Sequence, residues 1–252
     1  MQEQVNFTNR SGHSLSGVLH SPSDKKAIGC AIFAHCFTCT KNIKAAFQIA
    51  ETLSQHGFIV LRFDFTGLGA SAGDFGDSNF STNVDDLVDA ADYLTKTHQA
   101  PSLLVGHSLG GTAILASASQ IESARAVASI GSPAYPEHIL HLLECKLDEI
   151  EEEGQADIAL GHNEFTFKQE FVDDVKTYDI DYKNLNKALM VMHSPVDNTV
   201  SINQAATIFS RSMHPKSFVS LDNADHLLTN KDDASYAANV LANWAVRYTG
   251  NN

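Results

Sequence analysis

The stretch LLVGHSLGGTA, residues 103–113, decides the fold. Its first residues are apolar, as in a buried strand, whereas the residues from Ser108 onward are small and apolar, as in a helix. Ser108 therefore lies at a predicted joint between strand and helix, with Gly106 and His107 before it and Gly110 two residues after it. A serine at this joint is either a turn residue that caps the helix or a nucleophile held at a tight elbow by small neighbours.

Buried strands and helices alternate on both sides of this stretch. Four further apolar runs predict strands that are buried on both faces: 28–35, 58–65, 126–131 and 187–194. Between them lie segments with helical periodicity, of which STNVDDLVDAADYLTKT is the clearest. The alternation predicts an α/β fold with one domain over residues 1–252, built on a doubly wound, mostly parallel sheet.

The alternation pauses between Pro133 and about Leu185, and we interpret residues 133–185 as a small lid inserted into the domain. The helix-like stretch EHILHLLECKLDEIEEE carries an apolar stripe formed by Ile139, Leu143, Leu147 and Ile150. If this helix covers the site, Ile139 and Leu143 line the substrate pocket. If it packs sideways on the sheet, the stripe is part of the core.

Two residues late in the chain are candidate partners for Ser108. A serine hydroxyl becomes a strong nucleophile only when a base removes its proton and a third group orients that base. Asp197 follows the predicted strand at 187–194, and His226 follows the predicted strand SFVSL. Because the carboxyl ends of parallel strands lie at one edge of a sheet, we expect Ser108, Asp197 and His226 to form a catalytic triad there.

Other residues compete for the last two roles. Asp222 and Asp225 are alternative acids, but they share a loop with His226 and would need a sharp reversal to reach it. His214 is an alternative base, although its setting in RSMHPKS is typical of a helix end.

The composition excludes some classes of partner. The formal net charge is −13, with 17 Lys and Arg against 30 Asp and Glu, which argues against nucleic acid or an anionic membrane as a partner. No apolar run has the length of a membrane span, and MQEQVNFTNR lacks the apolar core of a signal peptide. We therefore expect a cytoplasmic protein whose four cysteines are reduced thiols.

Three short motifs suggest other chemistry. Cys36 and Cys39 form a C-x-x-C pair between a predicted strand and helix, which is the setting of a redox pair, although thiols that are buried or line a pocket are the simpler interpretation. GLGASA at 67–72 satisfies a dinucleotide-binding pattern, but the following helix begins too late for it. His138 and His141 have a metal-binding spacing without further ligands nearby, so we expect neither a metal nor a cofactor.

Several segments resemble the α/β-hydrolase superfamily of serine hydrolases: GHSLGG at 106–111, DFTGLGAS at 64–71 and HSPVDNTV at 193–200. More narrowly, AHCFTCTKNIKAA, LRFDFTGLGASAGDF and ADIALGHNEFTFKQEFVDDV are similar to a bacterial subgroup. In that subgroup an osmotically-inducible-protein-C-like domain often follows the hydrolase, and it would follow here about where the chain stops, after NWAVRYTG.

The resemblance carries expectations about fold and site. It implies an eight-stranded α/β-hydrolase sheet and an oxyanion hole formed by the backbone N–H groups of Phe37 and Leu109, with Cys36 at a position where many relatives have glycine. It also implies a carboxylesterase that cleaves small to medium esters, as small-molecule substrates, through an acyl-enzyme on Ser108. The alternatives are a thioesterase, an amidase or peptidase on the same triad, or a non-catalytic docking module for an osmotically-inducible-protein-C-like partner.

Overall fold

A computed structural model describes residues 1–23, 26–161 and 163–249. Its strands are β1 (Gln2–Thr8), β2 (Ser14–His20), β3 (Gly29–Ala34), β4 (Phe58–Phe63), β5 (Pro101–His107), β6 (Ala126–Ile130), β7 (Gln155–Leu160), β8 (Asn163–Lys168), β9 (Ala188–His193) and β10 (Lys216–Ser220). Its α-helices are α1 (Lys44–Gln55), α2 (Phe80–Thr97), α3 (Leu109–Ser117), α4 (Leu147–Glu153), α5 (Gln169–Thr177), α6 (Ile202–Arg211) and α7 (Lys231–Thr249).

Eight of the strands form one sheet, in the order β1-β2-β4-β3-β5-β6-β9-β10. The strands from β4 to β10 in this order pair in parallel, whereas β1 and β2 form an antiparallel hairpin that extends the sheet at one edge. The prediction of an eight-stranded, mostly parallel sheet is therefore confirmed.

Helices cover both faces of this sheet. Neighbouring residues of a strand point to opposite faces, so Ile32 packs in the cluster that includes α2 and α3, whereas Phe33 packs in the cluster that includes α1 and α7. Because both faces are buried, the central strands β3, β6 and β9 are almost entirely apolar, as the sequence predicted for them; their polar residues are Ser129 in β6 and His193 at the end of β9.

The segment between β6 and β9 differs from its prediction. Instead of one continuous helix, the chain forms 3₁₀ turns at Pro136–Leu142 and Glu144–Lys146 before the short α4. The stretch ADIALGHNEFTF, to which the prediction assigned no structure, forms the antiparallel hairpin of β7 and β8, and α5 follows it.

Helix composition bears on membrane insertion. No helix in the described ranges is both long enough and apolar enough to cross a lipid bilayer.

Candidate active site

Ser108 lies between the last residue of β5 and the first residue of α3, at a backbone angle that side chains rarely adopt, φ 55° and ψ −130°. The turn is possible because the residues two positions before and two positions after Ser108 are glycines, Gly106 and Gly110. A Cβ on Gly106 would lie 2.4 Å from the Gly110 carbonyl oxygen, and a Cβ on Gly110 would lie 2.2 Å from the His35 carbonyl oxygen. The strained, crowded turn fits a nucleophile elbow better than a helix cap, since Ser108 makes no side-chain cap hydrogen bond.

The sheet brings three distant residues together at this turn. His226 Nε2 lies 3.0 Å from Ser108 Oγ, and His226 Nδ1 lies 2.7 Å from Asp197 Oδ2. Asp197 comes from the loop after β9 and His226 from the loop after β10, so both enter from strands on the same side of β5. With Nδ1–H donating to the carboxylate, the unprotonated Nε2 is left to accept the serine proton.

The Asp197 carboxylate is buried but well supplied with donors. Its Oδ1 accepts hydrogen bonds from the backbone N–H groups of Thr199 at 2.8 Å and Val200 at 2.9 Å. Burial raises the pKa of Asp197, but the hydrogen bond from His226 and these backbone donors outweigh burial, so the pKa lies below its ordinary value of 3.8. Asp197 is therefore ionised at neutral pH and can hold the imidazole in one tautomer.

The competing acids do not occupy this position. Asp225 accepts hydrogen bonds from the Thr229 backbone N–H at 3.0 Å and from the Thr229 hydroxyl, within its own loop. Asp222 is exposed, as is His214. Among the described residues, Asp197 supplies the only carboxylate oxygen within 4.0 Å of a His226 ring nitrogen.

Two further histidines support the site, although the sequence motifs did not indicate this role for either of them. His107 Nε2 lies 2.6 Å from the His226 carbonyl oxygen, and burial lowers the pKa of His107 to about 4. His193 Nε2 lies 2.8 Å from the Val200 carbonyl oxygen, and burial likewise lowers its pKa. Both rings are neutral donors that hold the backbone beside His226 and Asp197. In the sequence, the signal for this role was the position of His107 in GHS, directly before Ser108, and of His193 in HSPVD, close to Asp197.

The loop that carries Phe37 is fixed at both ends. At one end His35 Nδ1 donates to the Cys36 carbonyl oxygen at 2.8 Å. At the other end the Lys41 backbone N–H donates to Asp64 Oδ1 at 2.6 Å, and the Lys41 ammonium also pairs with this carboxylate. This ion pair is buried on both sides, which anchors the loop firmly to the loop after β4.

Phe37 and Leu109 both line the space in front of Ser108. In the described part of the chain, neither backbone N–H donates to a turn or loop acceptor, so both are free to bind an oxyanion. Cysteine at position 36 does not strain the loop, because the left-handed backbone angle falls on Thr38, at φ 55°.

Cys36 and Cys39 form a disulfide in this loop, so the expectation of reduced thiols is wrong for this pair. Their sequence separation of three residues allows the Cα atoms to approach to 5.3 Å. Of the two free cysteines, Cys30 is buried and Cys145 is exposed. Burial raises the pKa of the Cys30 thiol to about 11, which keeps it protonated and unreactive.

A cavity of about 240 Å³ opens in front of Ser108 and His226. Its walls are mostly apolar, and the segment 133–185 supplies one side through Pro133, His138, Ile139, His141, Leu142 and Leu160. Ile139 lines the cavity as expected of a pocket residue. Leu143 does not: it is fully buried in the core, because the 3₁₀ turn gives the cavity position to Leu142 instead.

The remaining motifs have structural explanations. Helix α2 begins only at Phe80, so no helix N-terminus opens within the glycine-rich residues 67–72, as dinucleotide binding requires. The rings of His138 and His141 lie 4.7 Å apart, but within the described ranges no three His, Cys, Asp or Glu side chains are grouped so that they could hold a metal ion.

The chain is similar to known proteins over more than the residues of the site. The sequence profile of a family described as serine aminopeptidase, S33, matches residues 32–143. The crystal structure of the esterase domain from a Rhodothermus marinus protein is similar at 41% sequence identity and a TM-score of 0.81, covering 99% of this chain and 100% of that one. A search of curated proteins gave no match.

More distant structures share the architecture. Est1E from Butyrivibrio proteoclasticus, solved with ferulic acid bound, has a TM-score of 0.79 at 16% identity, covering 97% of this chain and 98% of that one. The α/β-hydrolase domain-containing protein 10 from mouse has a TM-score of 0.79 at 18% identity, covering 97% and 99%. At these identities the likeness concerns the fold alone, whereas the Rhodothermus marinus domain is similar in sequence over the whole chain.

Proposed function

We propose that this chain, which belongs to the α/β-hydrolase superfamily of serine hydrolases, is a carboxylesterase acting on small esters. The observation that carries the proposal is the hydrogen-bonded series from Ser108 Oγ through His226 to Asp197, open to an apolar cavity. Ser108 Oγ attacks the ester carbonyl carbon while His226 Nε2 takes the hydroxyl proton. The same proton then passes to the departing alcohol, which leaves an acyl group on Ser108.

The negative charge that develops on the carbonyl oxygen is bound by the N–H groups of Phe37 and Leu109. Leu109 begins α3, so the positive end of the helix dipole also favours this charge. Each donor of this kind contributes roughly 3 kcal/mol to transition-state binding. Water, activated by His226, then hydrolyses the acyl-enzyme and restores Ser108.

The cavity supports a small, neutral ester as substrate. Its volume of about 240 Å³ is below the roughly 300–1,000 Å³ of pockets that hold drug-sized ligands. We infer that residues 133–185 act as a lid, because this segment provides the apolar wall formed by Ile139, Leu142 and Leu160. A short acyl chain would be excluded from water against that wall.

The charge of the cavity bears on the other hydrolase activities. An aminopeptidase must recognise the ammonium group of its substrate, yet no Asp or Glu is among the described residues that line this cavity. A thioester of coenzyme A carries phosphates, which proteins bind through Lys and Arg. Neither residue type is among the described residues that line this cavity. Both observations favour an uncharged ester.

Ester turnover and active-site labelling test the proposal together. We expect kcat/KM for p-nitrophenyl esters to be highest for short acyl chains, and Ser108→Ala to lower it by at least about 10³-fold. A fluorophosphonate probe should label the protein and Ser119→Ala, an exposed control serine, but not Ser108→Ala.

Two outcomes would contradict the proposal. Folded protein that neither hydrolyses esters nor reacts with the probe would indicate a docking module instead. Faster cleavage of amino-acid p-nitroanilides than of the matched esters would indicate a peptidase.

A further inference from the structure

A second cavity, of about 420 Å³, lies apart from the triad. It is bordered by the first turns of α1 and α7, by β4, and by Leu228 and Thr229 in the loop that follows His226. None of its lining residues belongs to the cavity in front of Ser108. Its volume falls within the usual range for small-molecule sites, and neither the triad nor the proposed esterase reaction uses it.

The charge of this second cavity has the opposite sign to that of the whole protein. Lys44, Arg62 and Lys231 line it, and no Asp or Glu is among its described lining residues, although the formal net charge of the chain is −13. Neither Lys44 nor Lys231 forms an ion pair with any described carboxylate. Asp232 and Asp233, next to Lys231 in α7, do not line the cavity.

The environment of Arg62 independently indicates an anion site. Arg62 is only 4% exposed and yet has no carboxylate partner within 4.0 Å among the described residues. Its Nε donates to His20 Nε2 at 2.8 Å, and its Nη1 donates to Asn42 Oδ1 at 3.0 Å and to the Lys41 carbonyl oxygen. Nη2 makes no hydrogen bond to a described residue. Buried charges in proteins are normally paired, so this guanidinium lacks its usual complement.

The nearby carboxylates are already engaged. Asp64 is paired with Lys41, and Glu51 reaches Arg62 only through His20, whose Nδ1 lies 3.1 Å from Glu51 Oε2. Because His20 Nε2 accepts from Arg62, its Nδ1–H is the donor to Glu51. Burial lowers the pKa of Arg62, consistent with a cation whose charge is incompletely compensated.

The rest of the lining is suited to an apolar group. Phe47 is 41% exposed, and its ring centre lies 5.7 Å from the Arg62 guanidinium carbon. Leu228 and Ala234 complete the apolar part. We propose that this second cavity binds a carboxylate with a short apolar chain, with the carboxylate at Arg62 and the two lysines and the chain against Phe47.

The proposal stands on these residues and does not require the esterase reaction. The acid released by ester hydrolysis has the same chemistry, and only that link rests on the proposed function.

Isothermal titration calorimetry with hexanoate tests the proposal on the wild-type protein and on Ser108→Ala. We expect both to bind hexanoate, and to bind hexan-1-ol, acetate and inorganic phosphate at least roughly tenfold more weakly, because each lacks either the charge or the chain. Equal binding of hexanol would overturn the role of the cations. Equal binding of acetate or phosphate would overturn the role of the chain.

Variants locate the site. Lys44→Gln/Lys231→Gln should weaken hexanoate binding by roughly tenfold, whereas Lys96→Gln, an exposed lysine at the end of α2, should not change it. These lysines are exposed and unpaired, so the variants should fold without difficulty. Unchanged hexanoate binding in the double variant, or binding abolished by Ser108→Ala, would place the ligand elsewhere and refute the proposal. Ester turnover, measured on the same wild-type sample, reports separately on the proposed function.

Discussion

Gly110→Ala tests whether the close approach of α3 to the Phe37 loop sets the geometry of the proposed oxyanion hole. The added Cβ would lie 2.2 Å from the His35 carbonyl oxygen and 2.7 Å from that of Ala34. An ordinary contact begins at 3.4 Å, so the two backbones must separate by about 1.2 Å, the difference between 3.4 Å and 2.2 Å. Neither oxygen belongs to a side chain that could rotate away.

Two effects of this substitution oppose each other. Alanine is a better helix former than glycine by roughly 0.5–1 kcal/mol, which favours α3. Against this, a displacement of about 1 Å between a nucleophile and its binding groups lowers turnover by roughly 10²-fold. Since Leu109 and Phe37 lie on the two backbones that separate, we expect the loss of geometry to dominate activity.

The assay is kcat/KM for p-nitrophenyl butyrate, with circular dichroism and thermal unfolding to show that the variant is folded. Gly76→Ala is the matched control, because a Cβ there meets its neighbours at 3.4–3.5 Å and should leave turnover within about threefold of wild type. A folded Gly110→Ala protein with turnover in that same range would refute the argument that this contact fixes the site.

Other substitutions test the remaining parts of the structure. Asp197→Asn should lower kcat/KM by roughly 10³–10⁴-fold, because the amide cannot hold the histidine tautomer. Since the pKa of Asp197 is lowered in the fold, its ionised form contributes stability at neutral pH that is lost as the pH falls below about 4; acid unfolding of Asp197→Asn should therefore lack this component. Lys41→Met should reduce the free energy of unfolding in urea by roughly 3–5 kcal/mol, because it leaves a buried carboxylate without its cation; adding Asp64→Asn should recover part of the loss. Replacing Cys36 and Cys39 by serine should lower stability by no more than about 2 kcal/mol, since the disulfide closes a very short loop, and should leave ester turnover within about tenfold.

The sheet and the grouping of the three site residues follow from sequence because their signals are local and the topology does the rest. Apolar strands of about six residues can be recognised from the sequence. Consecutive strands of one sheet that are joined by a helix run parallel. Their carboxyl ends then meet at one edge, where the loops after β9 and β10 bring Asp197 and His226 to Ser108. No contact between these residues had to be known in advance.

The secondary structure of segment 133–185 was not predicted correctly because tertiary contacts override its local sequence pattern. Its apolar stripe has helical spacing, yet Leu143 is drawn into the core and the chain turns in 3₁₀ geometry around it. The β7–β8 hairpin did carry a signal, since Ala156 and Ile158 alternate with exposed residues ahead of the turn at Gly161. The disulfide could not be inferred, because spacing alone does not fix the oxidation state of a C-x-x-C pair.

The histidines around Ser108 illustrate how burial sorts identical side chains into different roles. The ring centres of His107 and His226 lie 5.1 Å apart, so a positive charge on His107 would oppose protonation of His226 during the reaction. Burial removes that conflict, because it lowers the pKa of His107 to about 4 and leaves its ring as a neutral donor to the His226 backbone. Among the described histidines close to Ser108, only His226 has a carboxylate within hydrogen-bonding distance of its ring, and so only this imidazole is oriented by an acid for its proposed role as the base.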